Sequence, residues 1–240
     1  FKTISKVSLV VANSLFTQKL IGNLSIINSK IKFVYPGAVD FRNYNSVKAL
    51  NLNGSPVLLT LARLEKRKGH IFVLQSIKKL KIQYPNIQYI IAGTGSEKKT
   101  LQNFVLNNDL SKNVYFVGNV NDNQKKFLFE KTDLMVMPTL DESDNNSIEG
   151  FGIVYLEAAF FRIPSIASNI GGTPEAVLHN STGIIINHIE DLYDTILDLL
   201  IDKEKRSKLG LQAQNRAIEN FKWEIIVKNH LSIYKNFVIS

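Results

Sequence analysis

From Pro56 onward the chain alternates short apolar runs with stretches whose apolar residues recur at helical spacing. Residues 57–62 and 87–92 read as strands. Between them, in 68–82, Ile71, Leu74, Ile77 and Leu80 fall on one helix face. The alternation continues with a helix over 97–105, a strand at 114–117, a helix over 122–129 and a strand at 134–137. A polar, acidic loop at 140–147 then runs into a further helix, and 163–167, 173–178 and 183–186 complete the pattern. Beyond His188 the chain reads as helical to its end, with Trp223 and Tyr234 on the last helix. Ahead of Pro56, residues 7–12 and 32–35 read as strands around a helix over 15–22 that Asn13-Ser14 can cap. Pro36-Gly37 marks a turn, and 40–54 is a polar, Asn-rich loop. Several of the strand runs show no polar alternation, so both faces are covered. The expectation is an α/β fold, a doubly wound, Rossmann-like parallel sheet.

In such sheets ligands lie at the carboxyl ends of the strands, and the loops there can be named. After 57–62 comes Arg63-Leu64-Glu65-Lys66-Arg67-Lys68-Gly69, with five charges in its first six residues. Gly93-Thr94-Gly95, Gly118-Asn119-Val120 and Gly171-Gly172-Thr173-Pro174-Glu175 follow later strands. Between them lies Ser147-Ile148-Glu149-Gly150-Phe151-Gly152-Ile153-Val154-Tyr155-Leu156-Glu157, two glycines at a loop-to-helix junction with a carboxylate on either side. Glycine there lets backbone approach a ligand, and first-turn N–H groups favour an anion. Glu149 and Glu157 would stand about 12 Å apart if both were helical, too far to share one metal. The plainer reading is a surface loop before an amphipathic helix with two solvated carboxylates.

Composition narrows the class. The 240 residues are 45% hydrophobic and suggest one or two ordinary globular domains. No apolar run is long enough for a membrane span. The absence of cysteine rules out disulfides and thiolate metal sites, and fits a reducing compartment. The first residue is Phe, no signal-peptide pattern follows, and the chain is expected to belong to something longer. A net charge of +8 invites nucleic-acid or anionic-membrane contact, but the cations are scattered and no nucleic-acid recognition motif accompanies them. A solvated basic surface is expected, with peripheral membrane contact second and no nucleic acid. Dinucleotide, Walker and Gly-x-Ser-x-Gly signatures are missing, as is an Asp-x-Asp pair. His70, His179, His188 and His230 lack ligand spacing and are expected at helix ends or on the surface.

With these loops assembled, the sequence resembles the nucleotide-sugar-binding C-terminal domain of family-4 retaining glycosyltransferases, enzymes of the GT-B fold. The resemblance rests on ordered motifs: Tyr35-Pro36-Gly37-Ala38-Val39-Asp40, Leu61-Ala62-Arg63-Leu64 with Lys68-Gly69-His70, Ile91-Ala92-Gly93-Thr94-Gly95 and Val117-Gly118-Asn119-Val120. Asp133-Leu134-Met135-Val136-Met137-Pro138, the Glu149–Glu157 spacing and Gly171 to Glu175 continue it. It implies residues 1–31 as the tail of an N-terminal acceptor domain, 32–220 as the donor domain and 221–240 as a helix crossing back. It implies Arg63 and Lys68 on the donor diphosphate, Glu157 on the ribose and Glu149 facing the donor sugar. Backbone N–H groups of Phe151, Gly152, Ile153 and Val154 would meet sugar hydroxyls and phosphate, and Gly118 and Val120 would line the base. The Gly93–Gly95 turn and Glu175 can equally be structural.

The implied activity is metal-independent transfer, without a cofactor, from a UDP- or GDP-linked sugar to a glycan or lipid-linked acceptor in the cytoplasm or at the inner membrane face. Ala62 stands where that family usually has glycine. The 140–147 loop is long and resembles that of mannosyltransferases acting on lipid acceptors. Most of the acceptor domain is missing, so the chain alone is expected to bind nucleotide and turn over poorly. Competing readings are a GT-B epimerase or phosphorylase, which the two glutamates with Arg63 and Lys68 argue against, and a non-catalytic nucleotide-binding or membrane-docking module.

Overall fold

The computed structural model describes residues 7–23, 30–145 and 147–239. Residues 1–6 and 24–29 of the expected N-terminal tail, and Asn146 of the acidic loop, lie outside that description. Six strands, β3 (Val57–Leu61), β4 (Gln88–Ala92), β5 (Val114–Gly118), β6 (Leu134–Met137), β7 (Ser165–Ser168) and β8 (Gly183–Ile186), form one sheet. Its order is β5-β4-β3-β6-β7-β8 and every pairing is parallel. Alternate residues of each strand enter opposite cores. Val57, Leu59 and Ile90 face the side covered by α4 (Asp122–Lys131), α5 (Ile153–Ala159) and α8 (Lys203–Asn220). Leu58, Tyr89 and Ile91 face α2 (His70–Leu80), α3 (Lys98–Asn107) and α7 (Leu192–Ile201). Each fully buried Leu or Ile stabilises this packing by about 1.5–3 kcal/mol. Both faces are covered, which is why these strands lack polar alternation.

A small unit stands beside the sheet: β1 (Leu9–Ala12) pairs in parallel with β2 (Lys30–Phe33) across α1 (Leu15–Gly22). The short α6 (Thr173–Ala176) follows β7, and α9 (Trp223–Ile239) ends the chain. The expected elements all form, with shifted ends. The helix expected from residue 68 starts at His70, because Lys66–Lys68 make a 3-10 turn that stops at Gly69. Gly69 has φ 69° there, and a Cβ on it would meet the Pro138 carbonyl oxygen at 2.1 Å. Only glycine tolerates both conditions.

The strand order turns back between β3 and β6, so the loops leaving these two strands face each other. That switch point is where such sheets bind ligands. A bond of 2.7 Å from the Leu140 N–H to the Arg67 carbonyl ties the two loops together.

Candidate functional site

Glu149 precedes α5 rather than lying on it. Its carbonyl accepts from the Gly172 N–H at 2.9 Å, which fixes the glutamate loop against the Gly171-Gly172 turn. Its carboxylate oxygen Oε2 accepts from Arg67 Nη1 at 2.9 Å and Lys68 Nζ at 2.5 Å. All three side chains are close to buried, 13% exposed for Glu149, 8% for Arg67 and 12% for Lys68. Burial alone would raise the Glu149 pKa, but Lys68 first and Arg67 second outweigh it and hold the carboxyl below its usual range.

Arg67 was not among the expected site residues. It sits in the same charged run as Arg63 and Lys68, yet the 3-10 turn turns Arg67 inward and leaves Arg63 outside. The Arg63 side chain is 73% exposed and ion-paired with Glu65 at 2.9 Å. It stands at the rim of a cleft of about 290 Å³ at the ends of β3, β4 and β5, together with Ala62, Thr94, Asn119, Val120 and Lys125. The structure therefore groups Lys68 with Glu149, and Arg63 with Val120. Gly118, at φ 67°, opens the turn beside Val120, with nothing within 4 Å of where a Cβ would be. Gly93 and Gly95 serve close packing instead. A Cβ on them would meet the carbonyl oxygens of Ala62 at 2.0 Å and Leu64 at 2.3 Å.

Lys125, on α4, is a second cation that the sequence did not single out. Its charge and that of Asp122 act on Glu157 from opposite directions. Glu157 is 9% exposed on α5, and burial pushes its pKa up from the usual value of 4.5. Tyr155, two residues earlier, donates its hydroxyl to the Met137 carbonyl at 2.7 Å and anchors α5 on β6. The Phe151 ring is buried and stacks on Tyr35 with centroids 5.1 Å apart, so the ring is committed to packing. Gly152 caps α5 at φ 95°, while Ile153 is exposed and Val154 half-buried.

His70 starts a helix as expected but is buried, and neither ring nitrogen has a hydrogen-bond partner. Burial, reinforced by Lys68, lowers its pKa to about 4, which keeps the ring neutral. Glu175 binds within the chain: its carboxylate accepts from the backbone N–H groups of Leu15 and Phe16 at 2.8 and 2.7 Å. Among the described residues no group of three or more His, Cys, Asp or Glu could hold a metal ion, and no helix is long and apolar enough to cross a membrane.

The chain is similar to a GDP-mannose-dependent alpha-(1-6)-phosphatidylinositol monomannoside mannosyltransferase of Mycolicibacterium smegmatis, 28% identical over 174 residues, 72% of this chain and 46% of that protein. The chain spans about half the length of such curated relatives. Its fold is shared with a sucrose-phosphate synthase of Thermosynechococcus elongatus, TM-score 0.83 and 21% identity over 100% of this chain and 61% of the other. It is shared also with the Anabaena protein Alr3699/HepE, solved in complex with UDP and glucose, TM-score 0.79 and 22% identity over 98% and 64% of the two chains. The family model for glycosyl transferases group 1 matches residues 43–216. That span holds every strand of the six-stranded sheet and every loop at its ligand-binding edge, and the chain belongs to the glycosyl transferases group 1 family.

Proposed function

We propose that the chain is the donor-binding part of a glycosyltransferase that moves a sugar from a nucleoside diphosphate to a glycan or lipid-linked acceptor, with retention and without a metal. The observation that carries this reading is the pair of buried cations, Arg67 and Lys68, gathered on Glu149 at the switch point of the sheet. When the bond between the anomeric carbon and the diphosphate oxygen breaks, the leaving diphosphate gains negative charge. Cations held in a poorly solvated site stabilise that charge more than they would in water. Metal independence is supported by the same groups: the carboxylate among them, Glu149, is already shared by two cations.

In this reading Lys68 binds the diphosphate, and Arg63 turns to it from Glu65. Glu157 accepts from the ribose hydroxyls, Glu149 faces the donor sugar, and Gly118 and Val120 line the base. Backbone N–H groups of Phe151, Gly152, Ile153 and Val154 meet sugar hydroxyls and phosphate. The mannosyltransferase relative uses GDP-mannose by its name, and the Anabaena neighbour was solved with UDP, so UDP- and GDP-linked sugars are the donors to test. In the same reading residues 1–31 are the tail of an N-terminal acceptor domain, 32–220 the donor domain and 221–240 a helix that crosses back toward the acceptor domain. The acceptor is held by protein beyond this chain, which alone binds nucleotide and turns over poorly. A lipid-linked acceptor would bring the enzyme to the inner face of a membrane, where a net charge of +8 attracts anionic lipid.

The test is a thermal-shift panel of UDP, GDP, ADP and their sugar conjugates, with and without Mg²⁺. A ligand at 100 times its dissociation constant adds about 2.7 kcal/mol, or about 5–10 °C for a chain of this size. The expected result is a magnesium-independent shift with one base that Lys68→Ala abolishes. No shift with any nucleotide, or a shift that Lys68→Ala leaves intact, overturns the reading.

A further inference from the structure

The group formed by Arg67, Lys68 and Glu149 is unequal: two cations share a single carboxylate oxygen. The surrounding charges do not correct the imbalance. Glu65 lies 4.0 Å from Arg67 Nη2, but its other oxygen is 2.9 Å from Arg63. Tyr155, which feels the Glu149 charge, is fully buried and held neutral. Two cations against one carboxylate leave an excess of one positive charge in a nearly buried place.

The two cations are not equivalent. Arg67 is the more deeply buried, and its Nε has no hydrogen-bond partner and no solvent contact. Its main chain is pinned on the opposite loop by the bond from Leu140, with Gly69 packed on Pro138 two residues later. A guanidinium so confined cannot swing out to a ligand. Lys68 ends in a single ammonium on a flexible stem, which can exchange one anion for another. Were Lys68 the sole partner of Glu149, each exchange would strand a buried carboxylate beside an arriving anion, a doubly unfavourable state.

Building on the nucleotide-binding reading above, we propose that Arg67 is a positioning residue. It is the permanent counter-ion that keeps Glu149 compensated and in place, so that Lys68 is free to exchange that carboxylate for the diphosphate of the ligand.

The charge balance gives a test that a merely structural arginine would not pass. UDP and GDP are titrated calorimetrically into the wild-type chain, and the one that binds is then titrated into Arg67→Gln, Glu149→Gln and the double variant, with Tm measured for each. Arg67→Gln locks Lys68 onto Glu149 and is expected to weaken binding about tenfold or more, within the range of couplings between contacting charges. Glu149→Gln removes the competing anion and is expected to tighten it. The double variant again presents one free cation and is expected to regain most of the loss, although it lacks two buried ionic groups. A structural arginine predicts the opposite, a double variant that binds no better than Arg67→Gln. That outcome, or an unchanged affinity in Arg67→Gln, overturns the inference. Should Arg67→Gln not fold, Arg67→Lys, which keeps the charge, is expected to bind as the wild type does, and a Glu149→Gln variant that binds no tighter than the wild type overturns the inference. A wild type that binds neither UDP nor GDP overturns the nucleotide reading itself, and the inference with it, so the two failures are told apart.

Discussion

Glu149 and Glu157 are eight positions apart in sequence and opposite in electrostatic character. Glu149 is held below the ordinary carboxylate range by Lys68 and Arg67, against its burial. Glu157 is pushed above it, because burial outweighs the attraction of Lys125 and Asp122 adds repulsion. The sign of each effect follows from linkage. For Glu149 the stabilising contribution is present above the unfolded value and is lost as pH falls through its lowered pKa. For Glu157 the folded chain keeps the proton longer than the unfolded one, so its contribution falls as pH rises from 4.5 toward the raised value. A ribose hydroxyl donating to Glu157 favours the ionised form. Nucleotide affinity is therefore expected to climb with pH across that same window, by at most about tenfold per pH unit, while Glu149 stays charged throughout. Calorimetry in two buffers of different ionisation enthalpy should detect proton release on binding at the acid end of the window. Glu157→Gln should flatten the profile, and an unaltered slope in that variant would remove Glu157 from the binding site.

Among the elements, α1 shows how a helix can be completed from far away in sequence. Its first-turn N–H groups have no intrahelical acceptors. Ser14 Oγ takes the Thr17 N–H at 3.0 Å, as its place before the helix suggests, but the N–H groups of Leu15 and Phe16 go to Glu175 on α6. A carboxylate at a helix N-terminus also meets the favourable end of the dipole. Glu175→Ala is expected to cost about 1–3 kcal/mol locally, the scale of hydrogen bonds to a charged acceptor. Hydrogen exchange should accelerate at Leu15 and Phe16 and remain slow in β3 and β4; uniform acceleration would mean that Glu175 supports the whole fold rather than α1. The same contrast explains what could be read from the chain. Buried parallel strands are continuous apolar runs, so β3, β4 and β6 were visible, and the loops at their ends followed from the architecture. Arg67 was not, since its partner is 82 residues away and the single 3-10 turn that buries it has no periodicity to detect. Glu175 read equally well as a helix-start charge, because its acceptor role depends on α1, some 160 residues earlier.

At the scale of the molecule, the two passages of chain between the sheet and the small unit run side by side. The Ala38 N–H donates to the Phe221 carbonyl at 2.9 Å, and Tyr35 contacts both Phe151 and Phe221, with ring centroids 5.1 and 5.8 Å away. The first passage thus touches the loop that carries Glu149. Gly37 lies in it, directly against the indole of Trp223: a Cβ there would stand 2.6 to 2.9 Å from three ring atoms. Gly37→Ala cannot be accommodated unless the indole moves, and overpacking of this kind costs about 1–3 kcal/mol. Trp223 is the one tryptophan of the chain and is half exposed, so its emission reports the displacement without interference. The expected outcome is a red-shifted emission as the ring leaves its contact with the linker, and a Tm lower by about 2–4 °C per kcal/mol lost. Gly22→Ala is the matched control, because a methyl group there would meet Ile31 Cδ1 at an ordinary 4.0 Å. Equal spectra and melting temperatures in the two variants would show that the linkers are not packed as described. A shift confined to Gly37→Ala, accompanied by weaker nucleotide binding, would show that the Tyr35–Phe151 stack couples the crossing to the site.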